Sequence, residues 1–109
     1  MENLDYYEAV AETMEGHVIR RRAWDDIAPD RLVFARPEDQ LPHEVILNVK
    51  SLPNIIKQVL HNKKKPIRFT GYICMYNGDD TVINGWVPSI VDKKAEDWYV
   101  ADQDPNFKF

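Results

Sequence analysis

The stretch Ile67-Arg68-Phe69-Thr70-Gly71-Tyr72-Ile73-Cys74-Met75-Tyr76-Asn77-Gly78-Asp79-Asp80-Thr81-Val82-Ile83-Asn84-Gly85-Trp86-Val87 decides the fold. Its two ends are rich in β-branched and aromatic residues, which suit a pleated, half-buried surface. Between them lies Asn77-Gly78, a strong hairpin signal because both residues tolerate positive φ. Ile67 to Tyr76 therefore reads as one long strand and Thr81 to Val87 as its antiparallel partner.

Downstream, Ser89 and Asp92 have the Ser-x-x-Asp spacing of a reciprocal cap, which opens a short helix. Trp98 to Val100 reads as a last strand. Asp102 to Phe109 reads as a tail whose Phe107 and Phe109 are candidates to dock. Upstream, Asp5-Tyr6-Tyr7-Glu8 is a capping box for a first helix. Its apolar positions are Tyr6 or Tyr7, Val10, Ala11 and Met14, and Gly16 supplies a left-handed stop. His17 to Arg21 and Leu32 to Ala35 read as strands, joined by a polar turn at Asp25-Asp26 and Pro29-Asp30. Pro37 and Pro42 interrupt regular structure, and Glu44 to Val49 reads as a short edge strand. Ser51 and Pro53 start a second helix, with Ile55, Ile56, Val59 and Leu60 as its apolar stripe and an end near Asn62. Lys63-Lys64-Lys65 then suits the negative end of the helix dipole. The expected class is α+β: an antiparallel sheet with an N-terminal helix, an inserted helix and a short C-terminal helix packed on it.

Composition narrows the function. The 109 residues suit one domain, and 44% hydrophobic with 29% charged residues fits a globular chain. A net charge of −4 argues against bulk attraction to nucleic acid or anionic membrane. The lone Cys74 has no intramolecular disulfide partner and reads as a small buried hydrophobe. No apolar run approaches the ~20 residues that span a bilayer, and a reducing, cytoplasmic setting is expected. His17, His43 and His61 lack metal-ligand spacing, so no metal and no cofactor are expected. Neither a phosphate-binding glycine loop nor a nucleophile elbow occurs, and Cys74 has no base visible in sequence.

Binding chemistry is better represented. Trp24, Trp86 and Trp98 offer large flat faces. Trp86 lies just before the Ser89 cap, where backbone N–H groups favour an anion, so an aromatic face there can stack a purine. In Arg20-Arg21-Arg22 strand alternation sends Arg20 and Arg22 one way and Arg21 the other. Guanidinium forks suit bidentate capture of phosphate.

These residues carry a resemblance. Gly71-Tyr72-Ile73-Cys74-Met75, then Thr81, Trp86, Pro88, Ser89, Asp92, Ala95, Asp97 and Trp98, resemble the second family of Thoeris anti-defence proteins of phages. Ala9-Val10, Gly16, Val18, Arg21 or Arg22, and Trp24 fit the same pattern. The resemblance covers residues 4–35 and 67–100 and leaves about 37–66 as an insertion, with 101–109 as a tail of the single domain. It implies a non-enzymatic sponge that sequesters cyclic ADP-ribose-type or cyclic oligonucleotide immune signals in the cytoplasm of the infected host. It also implies a homo-oligomer, dimer or tetramer. Trp24 and Trp86 would wall the pocket, and Ser89 and Asp92 would hydrogen-bond ribose or base. Arg21 and Arg22 are the candidates for the diphosphate on charge alone. Two other readings stay open: a protein–protein inhibitor acting through the inserted helix, and an enzyme that cleaves a nucleotide signal.

Overall fold

The computed structural model describes residues 3–107. In chain order its elements are α1 (Tyr6–Met14), β1 (Ile19–Arg21), α2 (Trp24–Ile27), β2 (Leu32–Arg36), β3 (Asp39–Leu41), a 3-10 turn (His43–Asn48) and α3 (Asn54–His61). There follow β4 (Ile67–Phe69), β5 (Tyr72–Tyr76), β6 (Val82–Asn84), α4 (Ile90–Lys94), β7 (Trp98–Val100) and a second 3-10 turn (Ala101–Gln103). They form two compact units, one running to Arg36 and resuming at Tyr72, the other Pro37–Gly71.

The first unit is built on a five-stranded sheet in the order β6-β5-β2-β1-β7, every pairing antiparallel. The expected α+β class with an antiparallel sheet is what the chain forms. The register aligns Ile19 with Val33 and Val100, and Val33 with Met75, so these four apolar side chains share one face. All four are buried, and they join Tyr6, Ala9, Trp24 and Trp98 in one core. Trp98 stands opposite Arg21 on that face, while Arg20 and Tyr99 stand opposite each other on the reverse.

Helix α1 starts where the capping box places it. Asp5 accepts from the Glu8 N–H at 2.8 Å, and Glu8 accepts from the Asp5 N–H at 2.9 Å. Asp5→Ala is expected to cost about 1 kcal/mol, read as a lower urea midpoint at unchanged slope. The buried face of α1 is Tyr6, Ala9 and Thr13, whereas Ala11 and Met14 face solvent. Of the expected apolar positions Tyr6 and Val10 do pack on the core, while small Ala9 and Thr13 are buried in place of Ala11 and Met14. Thr13 remains satisfied, since its hydroxyl donates to the Val10 carbonyl at 2.6 Å. Gly16 adopts φ +92, the left-handed stop expected of it. Asp25 and Asp26 lie in the one-turn helix α2 rather than in an open turn. Asn77 to Thr81 reverses the chain between β5 and β6, with Gly78 at φ +83 and Asp80 at φ +64.

The second unit pairs β3 with β4, aligning Asp39 with Phe69 and Leu41 with Ile67. Two strand expectations are corrected here. The long strand from Ile67 to Tyr76 is divided at Thr70-Gly71, and its two halves enter different sheets. Glu44 to Val49 is not a strand, because the Val45 N–H bonds back to the Pro42 carbonyl and starts a 3-10 turn. That turn buries Ile46 completely. Helix α3 begins after Pro53 with no side-chain cap, so Ser51 does not serve as its N-cap.

Candidate functional site

Strand β1 sends its arginines to two sides, and each side forms a polar cluster. On the core side, the Arg21 guanidinium donates from Nε to Asp97 at 2.8 Å and from Nη1 to Asp92 at 3.0 Å. Burial opposes the charge on Asp97, but hydrogen bonds from Arg21 and the Ala23 N–H outweigh it and hold that carboxyl below the usual range. Asp92 has a second duty, since it and Ser89 cap α4 reciprocally at 3.2 and 3.1 Å. The carbonyl of Asp92 also accepts from the Trp98 indole at 2.9 Å. Trp98 packs edge-on to Trp24 with ring centres 5.2 Å apart, and Trp24 meets Trp86 edge-on at 6.4 Å. Trp24 is only 3% exposed, whereas Trp86 is half-buried against the core.

The structure thus brings Trp24, Trp86, Ser89, Asp92 and Arg21 into one continuous set of contacts. Arg22 lies elsewhere. Its guanidinium stacks on Tyr99 at 3.6 Å and donates to Asp104 at 2.8 Å. With Arg20, Asp25, Asp30, Phe107 and others it lines an open cavity of about 310 Å³. Arg20 is 1% exposed and donates to Asp25 at 3.0 Å and to the carbonyls of Ala28, Pro29 and Arg31. Its Nε is buried with no hydrogen-bond partner among the described residues. Sequence alternation already grouped Arg20 with Arg22, but Tyr99, Asp104 and Phe107 join them only through the β1–β7 pairing. Phe107 does dock, 5.3 Å beneath the Arg20 guanidinium, and Phe109 lies outside the described residues.

A third contact ties the end of the sheet. His17 Nδ1 donates to one Asp102 oxygen at 2.8 Å, while the Val18 N–H donates to the other at 2.9 Å. The Asp102 hydrogen bond raises the His17 pKa, against a smaller opposing effect of desolvation. Burial pushes Asp102 the other way, yet its bonds from His17 and Val18 keep its carboxyl low. A His raised in the folded state stabilises fully below its ordinary 6.5 and loses that contribution as pH rises through the folded pKa. A lowered carboxyl contributes above its ordinary 3.8 and loses it as pH falls further. The pair is therefore strongest between those values. Melting temperature is expected to fall from about pH 5.5 to about pH 8.5, and to fall less in His17→Gln.

Cys74 is fully buried, its Sγ 3.4 Å from the Asn84 side-chain oxygen. Among the described residues no group of three or more His, Cys, Asp or Glu is placed to hold a metal ion. Among the same residues no helix is long and apolar enough to cross a membrane.

The fold and clusters define a small antiparallel α+β domain with a tryptophan set joined to a paired arginine. Residues 4–101 match the family model of the Thoeris anti-defense 2-like domain, termed Tad2-like, and the chain belongs to that family. This membership supports a role in anti-defence against Thoeris. No curated protein matches the chain.

Proposed function

We propose that this chain binds and holds, without cleaving, a cyclic ADP-ribose-type or cyclic oligonucleotide signal, and so opposes Thoeris-like immunity as a cytoplasmic homo-oligomer. The observation that carries the reading is the position of Trp86. It is half-buried on the core beside Trp24 and three residues before the Ser89–Asp92 cap, which Arg21 holds. In this reading Trp86 stacks the base while buried Trp24, expected as a pocket wall, backs the Trp86 ring edge-on, and Ser89 and Asp92 hydrogen-bond base or ribose. Arg21, the guanidinium on that side of β1, meets the diphosphate, and Arg22, expected beside it, stands on the opposite face against Tyr99 and Asp104. The Arg21 guanidinium already binds carboxylates, so a diphosphate competes with Asp92 and Asp97 for it.

Retention rather than turnover is supported by the setting of Cys74, the single thiol, buried in the sheet beside an amide oxygen. The test is a thermal shift of the full chain against cyclic ADP-ribose isomers and cyclic di- and trinucleotides. A ligand at a hundred times its Kd adds about 2.7 kcal/mol to native stability, so a clear rise in Tm is expected. Mass spectrometry of ligand released by heating is expected to return it intact. No shift with any of these compounds, or a released compound of altered mass, would overturn the reading.

A further inference from the structure

The unit Pro37–Gly71 contains a stretch that neither the tryptophan set nor the arginine clusters use. Residues 45–66 carry five Lys and no Asp or Glu, while the rest of the chain carries nine Lys or Arg against eighteen acids. Helix α3 sits inside this stretch, and its half-buried side is Lys57, Leu60 and His61. His61 Nδ1 donates to the His43 carbonyl at 3.1 Å and so ties the end of α3 to the start of the 3-10 turn. On the opposite side Ile55, Ile56 and Val59 are 71%, 41% and 48% exposed and share an arc of about 100°. Val45 and Leu47 of the turn are exposed as well, as are Lys50, which precedes the helix, and Lys63–Lys65, which follow it.

An exposed apolar surface on a small domain marks a contact with something else, and its chemistry says what. Protein–protein contacts concentrate Trp, Tyr, Met and Arg at their centres and are poor in Lys. None of those four enriched types occurs in residues 45–66. Aliphatic side chains beside Lys instead suit an anionic lipid surface, where the apolar groups enter the headgroup boundary and the long lysine stems reach the phosphates. Helix α3 is about 12 Å long against a hydrocarbon core of about 30 Å, so it lies on a bilayer and does not span it. The net charge of −4 does not oppose this contact. Charges farther away than about 8–10 Å are largely screened at physiological salt, so the surface that touches the lipid decides.

We propose that the exposed face of α3, with Lys50 and Lys63–Lys65, docks the chain on an anionic phospholipid bilayer. Ile55, Ile56 and Val59 insert at the level of the headgroups, and the lysines pair with lipid phosphates. Each lysine brought to such a surface strengthens binding about fivefold. The attachment is peripheral and reversible, and it weakens with salt. All of it lies in Pro37–Gly71. It uses neither Trp86 nor Arg21, so it stands or falls separately from ligand binding.

Flotation of the full chain with phosphatidylcholine vesicles, with and without phosphatidylglycerol, tests this. The wild type is expected to float with the anionic vesicles, at least about tenfold less with phosphatidylcholine alone, and less again as salt rises. Ile55→Gln is expected to weaken binding about tenfold. Lys63→Gln, Lys64→Gln and Lys65→Gln together are expected to weaken it about a hundredfold. Both variants are expected to keep the wild-type melting curve, because the substituted side chains are exposed. A chain that does not float with anionic vesicles overturns the proposal, and so does flotation indifferent to these variants. A chain that ignores vesicles, but is retained through Lys63–Lys65 by immobilised polyglutamate, assigns the face to an acidic protein and overturns it equally.

Discussion

Trp86→Ala is expected to lower ligand affinity about ten- to hundredfold while leaving the chain folded, since stacking of a base on an aromatic side chain contributes about 1–3 kcal/mol. The position of the ring makes this variant informative. Trp86 packs against the core without belonging to its buried set, so its removal trims an edge. Trp24 is the instructive contrast. It is buried between Trp86, Trp98 and the Arg31 guanidinium, which lies 5.0 Å over its ring. Truncating such a residue costs about 3–5 kcal/mol of stability, so lost binding in Trp24→Ala reports on folding as much as on the pocket. Isothermal titration of Trp86→Ala with the ligand found by thermal shift, alongside a melting curve, separates the two effects. Unchanged affinity in the folded variant would remove Trp86 from the pocket.

Arg20→Ala is expected to destabilise the chain by about 3–5 kcal/mol, well beyond the loss of a helix cap in Asp5→Ala. The buried guanidinium holds Asp25 and three backbone carbonyls, those of Ala28, Pro29 and Arg31, in the connection between β1 and β2. Removing it empties a fully buried site and takes the donor from the half-buried Ala28 and Arg31 carbonyls, where a stranded acceptor costs about 1–3 kcal/mol. The exposed Asp25 and Pro29 acceptors regain water. Against a total stability of about 5–15 kcal/mol, that loss is a large fraction. Lys does not restore the site, because one ammonium cannot reproduce a planar fork aimed at several acceptors. Equilibrium urea unfolding measures the effect. A loss below about 1 kcal/mol would mean that the loop is organised without Arg20.

Several parts of this molecule are set by interactions three or four residues apart, and these are the parts that a linear sequence displays. The Asp5–Glu8 and Ser89–Asp92 caps, the left-handed Gly16 and the Asn77-Gly78 reversal all depend on local backbone geometry. So does the alternation that separates Arg21 from Arg20 and Arg22. The antiparallel class follows from the same signals, because short reversals between apolar runs leave few other topologies.

Where neighbours in space are remote in the chain, local pattern is silent. Between Ile67 and Tyr76 the one local sign of a break is Gly71, which weakens a strand interior, but the partners that β4 and β5 take are not written there. The apolar stripe of α3 is equally visible in the sequence, but which side of the helix faces its own unit is decided by packing against the 3-10 turn. The candidate site divides in the same way. Its aromatic and cationic residue types were legible, whereas the carboxylates that hold Arg21 come from 71 and 76 residues away. Sequence alone therefore determined the class, the caps and the side of the strand on which each arginine stands. Only the tertiary structure decided which arginine meets which acid and which tryptophan remains reachable, because ion pairing and burial are set by the pairing of β1 with β7 and by the packing on that sheet.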